Sequence, residues 1–504
     1  MNSDRRKQVY IFLPILLFFA YFPAFLELND QSVRMWDESF YAINAYEMMN
    51  NGELWIKYFN DNPDTYNLKP PLMTWLQSLS FMTFGVGEFA LRFPSALSGL
   101  ILIMLLFWLI YRKVKVPLWG LITGLILATT PGFICNHVVR TGDYDAALTL
   151  FLFLSMWQFY LYLTKETELK KHLYLTSLFL ILAVYTKGTA GLLFLPAMLI
   201  LSLTFNKFMQ IIKSKEFYIS VFVFIIIVGA YYLYKAKAQP GYIDSWLKYE
   251  SFGRFTEVQD GHSHPFFYYF TLLIRSQFLP WVFVLPLSLF FYWSEKNDQI
   301  KRLLKFALVS FIGYILFISL SQSKLEWYTA PILPFLAILS GYAVFRTIDF
   351  VIHIINAKKY IPKLLFSLAF VIVVFYFPYV KTIKHVTNPV TNWAANKFGD
   401  YYKHLKSNYP DFKEFTLFHD GFNTHAVFYT NVFNQEYGYN IDYEMIFHDR
   451  SIYDSVYNKI QDGDKIMLYQ NEILDDLRNK FDVSVFHRYD ELKLVEVKLK
   501  AEED

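Results

Sequence analysis

The stretch ALRFPSALSGLILIMLLFWLIY occupies residues 90–111, has no charged side chain after Arg92, and is followed directly by Arg112 and Lys113. About 20 apolar residues in a helix cross the hydrocarbon core of a bilayer, so this stretch predicts a membrane span. Similar stretches recur along the chain. We predict a mostly α, polytopic transmembrane protein with about 11–13 spans; the eleven stretches are 8–26, 90–111, 117–135, 146–163, 172–186, 188–205, 217–237, 268–292, 305–321, 329–348 and 363–381.

The composition agrees with a membrane protein. Of 504 residues, 55% are hydrophobic and only 18% are charged, with a net charge of +3. Charge this scarce excludes a soluble shell, and the apolar content excludes intrinsic disorder. The single cysteine, Cys135, excludes a disulfide framework and a zinc–thiolate cluster. No basic recognition motif is present, so we expect no nucleic-acid partner.

The loops predict the orientation. Every second loop is short and basic, as in Arg112, Lys113 and Lys115, and the positive-inside rule assigns such loops to the cytoplasm. The N-terminus then lies inside and the region after residue 381 lies outside. The first span could instead be a signal peptide, but no small-residue cleavage site follows it.

Two domains are predicted: a membrane domain over 1–381 and an outward-facing, small α/β domain over 382–504. The membrane domain carries 33 basic and 23 acidic residues, whereas the tail carries 14 and 21. Strand-like runs in the tail alternate with helical segments near 422–431 and 471–480; an alternative is a folded cap without chemistry. Two long outward loops, about 28–89 and about 238–267, are of the length that usually carries function. Within the first, 71–84 fits an interfacial or re-entrant helix.

The pair Asp37-Glu38 follows the first span. Adjacent carboxylates repel each other and are costly to desolvate, so a functional pair would act as a general base, a metal ligand or a helix N-terminal anion. The alternative is a solvated loop before a helix.

Further candidates lie in the same and later outward loops. Lys69 precedes Pro70-Pro71 in a restricted backbone, and a fixed ammonium there suits a phosphate, although it could also snorkel. Asp145 lies at the mouth of a span, where an ionisable residue is a functional candidate, and Asp143 competes with it.

The remaining candidates belong to two more outward loops. Arg254, His262 and His264 share one of them; the two histidines are weak candidates for a divalent metal. Lys324 and Tyr328 in the other could bind phosphate. Because all these motifs fall on one side of the membrane, we predict one site for a lipid-linked phosphate and a hydroxyl or amine nucleophile. The alternatives are a transporter or flippase of a lipid-linked saccharide, and a scaffold.

The order of motifs resembles the GT-C fold membrane glycosyltransferases, in particular the bacterial protein O-mannosyltransferase and lipid A aminoarabinose transferase superfamily. The matching pieces cover nearly the whole membrane part: Asp37-Glu38 with Tyr41, Lys69-Pro70-Pro71-Leu72 with Trp75, Gly85–Pro94, Asp145, Lys187-Gly188, His264-Pro265 with Tyr268-Tyr269, Pro280-Trp281, and Ser323-Lys324 with Tyr328 and Pro331.

The resemblance implies inverting transfer of a sugar from a polyprenyl-phosphate-linked donor to a lipid or protein acceptor, such as lipid A or another glycolipid or glycan. The reaction would occur on the outer side of the bacterial cytoplasmic (inner) membrane. The implied catalytic positions are Asp37 and Asp145, with Glu38 beside them. The implied donor-phosphate contacts are Lys69, Tyr66 and Tyr328, to which we add Tyr41, Lys324 and Arg254.

This chain departs from the aminoarabinose branch at two positions. Leu68 stands where that branch usually has a metal-associated Glu, and Phe40 stands where it usually has Arg. The resemblance therefore implies the transferase class and leaves the sugar and acceptor open.

Overall fold

The computed structural model describes residues 3–135, 137–165, 169–259, 261–354, 362–388, 398–420, 423–446 and 455–500. Within them, the chain forms a bundle of apolar helices followed by a β-sheet flanked by helices. Eight helical segments are long and apolar enough to cross a membrane, and a bent pair, Tyr268–Gln277 with Trp281–Ser294, would make a ninth. The predicted polytopic helical class is confirmed.

The predicted number of spans needs a correction. The eleven predicted stretches are all helical, but Pro117–Ala128 has 12 residues and Leu195–Thr204 has 10. At 1.5 Å per residue these helices measure about 18 and 15 Å, too short to cross a bilayer alone. The length of an apolar stretch does not distinguish such a helix from a membrane span. Every residue of Pro117–Ala128 is buried inside the protein, and an all-apolar helix is as stable there as it is in a membrane.

The α-helices are numbered in chain order. They are α1 (Ser3–Phe25), α2 (Asp37–Asn51), α3 (Leu72–Phe84), α4 (Glu88–Val114), α5 (Pro117–Ala128), α6 (Pro131–Ile134), α7 (Asp145–Thr164), α8 (Leu169–Lys187), α9 (Leu195–Thr204), α10 (Phe208–Ile212), α11 (Lys215–Ala238), α12 (Tyr242–Tyr249), α13 (Phe252–Thr256), α14 (Tyr268–Leu272), α15 (Leu285–Ser294), α16 (Asp298–Ser319), α17 (Leu333–Ile354), α18 (Lys363–Thr387), α19 (Phe398–Asn408), α20 (Thr424–Tyr437) and α21 (Asn471–Lys480).

Helices α5, α7 and α17 form the centre of the bundle, and α11 lies at its edge with most of its apolar residues exposed. Gly341 of α17 faces Thr123 of α5, and a Cβ atom at Gly341 would lie 2.4 Å from the Thr123 hydroxyl. The missing side chain therefore lets the two helices approach closely.

The predicted α/β character of the tail is confirmed. The described strands are the hairpin β1 (Tyr58–Phe59) and β2 (Asn62–Pro63), and in the tail β3 (Glu414–Asp420), β4 (Asn440–Ile446), β5 (Lys465–Leu468), β6 (Phe481–Tyr489) and β7 (Leu492–Leu499). Strand β3 is parallel to β4 and β5, and β7 is antiparallel to β5 and β6, in the order β4-β3-β5-β7-β6. Strand β4 and helix α19 were not predicted.

The tail packs directly against helix α2. The Thr424 hydroxyl lies 2.5 Å from the Ser39 hydroxyl, two residues from Asp37. The Tyr429 hydroxyl accepts a 2.8 Å hydrogen bond from the Val33 amide and donates one of 2.5 Å to Glu88. Helix α20 thus holds both the start of α2 and the segment that leads into it.

Candidate active site

Asp37 is the first residue of α2. The preceding Trp36 has a φ of 72°, in the left-handed region that bulky residues rarely adopt, so the chain turns sharply into the helix. A carboxylate in the first helical turn interacts favourably with the positive end of the helix dipole. Asp37 is half-buried and faces a cavity.

This cavity has a volume of about 120 Å³ and brings together four residues predicted for the site. Besides Asp37 they are Lys69, Asp145 and Tyr328, which come from four separate segments of the chain. Two further charged residues complete its charged lining: Lys187, which belongs to a matching motif but was given no role in the site, and Glu250, which was not predicted.

Asp145 is held by one lysine. It begins α7, and Lys187 ends α8, so the antiparallel pair of helices places the two side chains together. The Lys187 ammonium lies 2.7 and 2.6 Å from the two carboxylate oxygens of Asp145. The Asp145 charge is thus balanced inside the protein, at the wall of the cavity.

Lys69 is fixed from three sides. Its ammonium lies 2.9 Å from Glu250 and 5.7 Å from the centre of the Tyr41 ring. Its carbonyl accepts a 2.6 Å hydrogen bond from the buried ammonium of Lys57, whose pKa burial lowers well below the ordinary value. The Lys69 ammonium is therefore presented to the cavity with little freedom of its own.

The structure does not agree with the predicted catalytic role of Glu38, because groups of the protein enclose its carboxylate. Arg92 donates to it at 2.7 and 3.1 Å, and the amides of Arg34 and Gly142 donate at 2.9 and 2.8 Å. Burial raises the pKa of Glu38, but the Arg92 charge outweighs burial and the net shift is downward. Its oxygens are occupied, and it joins α2 to the loop before Asp145.

Three predicted phosphate contacts have other partners. Tyr41 is buried and stacks on Tyr144, with ring centres 4.0 Å apart, and Tyr66 is exposed and stacks on Phe40. The Lys324 ammonium donates to the Ser321 carbonyl, and burial lowers its pKa. Among the described residues that line the cavity, none of these three is found.

The last predicted phosphate contact is Arg254, and the two predicted metal candidates are His262 and His264. Neither histidine is among the described residues that line the cavity. The side chain of Arg254 lies outside the described part of the structure. His262 is exposed, and His264 stacks on Tyr268 at 3.9 Å. Neither belongs to a group of three metal-ligating side chains in the described ranges.

One such group lies beside the cavity. It consists of Asp37, His137 and Asp143, and their ligating atoms all lie within 4.8 Å of one another. Burial raises the pKa of Asp143, but the neighbouring His137 outweighs burial and lowers it overall. Sequence reasoning did not select His137; its position six residues before Asp143 in an outward loop was the available signal.

Known proteins that are similar to this chain include membrane sugar transferases. A family model described as dolichyl-phosphate-mannose-protein mannosyltransferase matches residues 68–234, which include Lys69, Asp145 and Lys187. An uncharacterised protein from Aquifex aeolicus is 30% identical over 67% of this chain and 63% of its own length. An undecaprenyl phosphate-alpha-4-amino-4-deoxy-L-arabinose arabinosyl transferase from an Enterobacter species is 28% identical over 62% of this chain and 56% of its own. The chain thus spans less than two thirds of the length of these curated relatives.

The solved structures establish the fold. ArnT from Cupriavidus metallidurans, crystallised with undecaprenyl phosphate, superimposes with a TM-score of 0.71 at 18% identity, and covers 97% of both chains. The apo form gives the same TM-score. The protein therefore has the GT-C fold of multi-pass membrane glycosyltransferases. Within that class it resembles the ArnT-like branch, and the resemblance stated from its motifs is confirmed.

Proposed function

We propose that this protein is a membrane glycosyltransferase that moves a sugar from a polyprenyl-phosphate-linked donor to an acceptor, with inversion. The observation that carries the proposal is the convergence of Asp37, Lys69, Asp145 and Tyr328 on one cavity. Relatives named as undecaprenyl-phosphate sugar transferases support the donor class. The acceptor is a hydroxyl or amine of a lipid, glycan or protein, and the sugar is a hexose or a pentose.

Asp37 is the proposed general base. As the acceptor oxygen or nitrogen attacks the anomeric carbon, its proton passes to the Asp37 carboxylate. The bond between the anomeric carbon and the phosphate oxygen breaks, and its electron pair leaves with the polyprenyl phosphate. Asp145 and Lys187 form an ion pair in the lining of the same cavity, and we propose that Asp145 orients the acceptor or the sugar.

Lys69 is the proposed contact for the donor phosphate, with Tyr328 beside it. Negative charge grows on the leaving phosphate during the reaction, so a cation that holds this oxygen lowers the barrier. The Lys69 ammonium now lies 2.9 Å from Glu250. The donor phosphate would either replace the Glu250 carboxylate as the partner of Lys69 or bind the Lys69 ammonium together with it.

The reaction is proposed for the outer face of the bacterial cytoplasmic membrane, with the N-terminus inside. The excess of basic residues in alternate loops supports this orientation. The tail after residue 381 is then a second domain on the outside, and its contact with Ser39 of α2 lies two residues from the proposed base, Asp37.

A deletion strain tests the proposal. We expect mass spectrometry of its envelope lipids and glycoproteins to show one glycoform missing, and expression of the wild-type chain to restore it. Asp37→Asn should fail to restore it, because removal of a general base slows transfer by about 10²–10⁴-fold. The matched control is Asp30→Asn, an exposed residue of the same loop, which should restore it fully.

Two results would contradict the proposal. Full restoration by Asp37→Asn, at normal protein level, would remove Asp37 from the reaction. Translocation of an intact lipid-linked saccharide by the purified protein, with no new glycosidic bond, would favour the transporter alternative.

A further inference from the structure

A second cavity lies at the opposite end of the helical bundle from the candidate active site. It is formed between the start of α1 and the end of α4, and it has a volume of about 590 Å³. Near its beginning, helix α4 holds Glu38 through Arg92, whereas Arg112 in its last turn lines this cavity. About 20 residues separate Arg92 from Arg112, which corresponds to about 30 Å of helix. The cavity is therefore separate from the site proposed for sugar transfer.

Three cations line this cavity. Arg6 lies near the start of α1, Arg112 lies in the last turn of α4, and Lys115 directly follows that helix. Among the side chains that the structure describes, no carboxylate lines the cavity, and none forms an ion pair with any of the three cations. A cleft lined by charges of one sign attracts ligands of the opposite sign. The lining therefore favours an anionic ligand.

Two of the cations are held in position at the cavity. The guanidinium carbon of Arg112 lies 5.7 Å from the centre of the Trp108 ring, and the Lys115 ammonium lies 5.4 Å from the centre of the Tyr111 ring. The φ of Lys115 is 58°, in the left-handed region where glycine usually ends a helix. A lysine adopts this conformation less easily than glycine does, but it places a charge at the cavity.

The rest of the wall is largely apolar and lies further along the two helices. Val9 and Leu13 follow Arg6 along α1, and Trp108 precedes Arg112 by one turn of α4. The distance along α1 from Arg6 to Leu13 is about 10 Å. Only 33% of the apolar window of α1 is buried inside the protein, so much of this helix faces lipid. Charge at one end and an apolar wall at the other match the two parts of an amphiphile.

We propose that this cavity binds one anionic phospholipid of the phosphatidylglycerol type. Its headgroup phosphate contacts Arg6, Arg112 and Lys115, and one acyl chain packs along Val9 and Leu13. Basic pockets between membrane helices are known to bind anionic headgroups in this way. A soluble anion would gain nothing from the apolar wall, and a zwitterionic lipid would bring a further positive charge next to three cations.

This lipid site has a structural role that goes beyond the proposed function. A lipid in the cavity contacts α1 and α4 together and so joins the two helices at the end remote from the candidate active site. In the orientation proposed above, it belongs to the inner leaflet. Lipid binding is measured without sugar transfer, so the two proposals can fail independently.

The experiment uses the full-length protein, purified in detergent and washed free of bound lipid. Titration with phosphatidylglycerol, followed by native mass spectrometry, should show one retained lipid per chain, bound more tightly than phosphatidylcholine. The test variant combines Arg6→Gln, Arg112→Gln and Lys115→Gln. Each cation near an anionic lipid contributes about fivefold in affinity, so this variant should bind phosphatidylglycerol roughly 100-fold more weakly.

The matched control removes the same number of cations from another basic loop, by Lys296→Gln, Lys301→Gln and Arg302→Gln. None of these residues lines the cavity, although Lys301 also lies beside an aromatic ring, 5.7 Å from the centre of Tyr292. The control variant should bind phosphatidylglycerol as tightly as the wild type does.

A photoactivatable phosphatidylglycerol locates the bound lipid. It should label peptides that contain residues 6–14 and 108–115, and inorganic phosphate should not displace it. If the triple variant fails to fold, Arg112→Gln alone should weaken binding by about fivefold.

Several outcomes would overturn the proposal. They are equal retention of phosphatidylglycerol and phosphatidylcholine by the wild type, equal losses in the test and control variants, and labelling confined to other segments. Displacement by inorganic phosphate would instead identify a site for a free anion. Loss of sugar transfer with intact lipid binding would contradict the proposed function alone.

Discussion

The charged residues near the cavity fall into two groups: some line the cavity, whereas others of the same type have their charge enclosed by groups of the protein. Asp37 and Glu38 are adjacent in the sequence, but Asp37 faces the cavity and Glu38 is enclosed by Arg92 and two backbone amides. Lys69 faces the cavity, whereas the Lys324 ammonium is bound to a carbonyl. The position of a charged residue in a sequence motif therefore does not identify its role. The groups that contact its charge in the folded protein do identify it.

The difference has a physical basis. A charge enclosed by matched donors or acceptors is already stabilised and has no capacity left for a substrate. A charge at a cavity wall can exchange its partner during a reaction. We therefore expect cavity-facing residues to control catalysis and enclosed residues to control stability.

The largest effect is expected for Asp37→Asn. Transfer should fall by about 10²–10⁴-fold because the proton acceptor is lost, while the melting temperature stays close to that of the wild type. Parallel assays of transfer and thermal unfolding in detergent measure both. A large loss of stability would contradict the division, since it would make Asp37 structural.

Glu38→Gln should show the reverse pattern. It leaves the buried Arg92 guanidinium without its counter-charge, and breaking such a pair costs about 3–5 kcal/mol. We expect a marked drop in melting temperature, with any surviving folded protein still able to bind donor. The control Glu27→Gln changes an exposed carboxylate of the same loop. A variant as stable as the wild type but inactive would make Glu38 catalytic after all.

Lys69→Ala and Lys324→Ala compare the two lysines. A hydrogen bond to a charged group contributes about 1.5–3 kcal/mol, so Lys69→Ala should raise the donor KM by roughly 10–150-fold. Lys324→Ala should leave the donor KM nearly unchanged. Steady-state kinetics with varied donor measures both, and equal effects would remove Lys69 as the main phosphate contact.

The smallest effect is expected for Glu250→Gln. It removes the charge that pairs with Lys69 in a contact whose side chains are only 10% and 13% exposed, but the amide oxygen can still accept from the ammonium, so the pairing changes by about 0.5–1 kcal/mol. Affinity for polyprenyl phosphate should therefore rise by about two- to fivefold in an equilibrium binding assay. Weaker binding would mean that Glu250 orients Lys69 for the phosphate and does not compete with it.

Much of this architecture could be predicted from the sequence. Spans follow from apolar length, and Asp37, Lys69 and Asp145 were found because each lies in a short local motif. Short buried helices such as α5 could not be separated from spans, since their sequences are equally apolar.

The partners of each charge could not be predicted. Glu38 meets Arg92 from 54 residues away and Gly142 from 104 residues away, and Asp145 meets Lys187 from 42 residues away. These pairs depend on how separate helices pack, and no local pattern encodes that distance. For the same reason His137 was missed, although Asp143 was considered.

The contact between the tail and helix α2 has a consequence for biosynthesis. Ser39 leaves the ribosome early, whereas its partner Thr424 follows 385 residues later. At 5–20 residues per second this interval lasts roughly 20–80 s. During that time the start of α2 lacks its contacts with the tail, although Arg92 and Gly142 already hold Glu38. This part of the cavity is therefore completed only when the tail has been made and has folded against it.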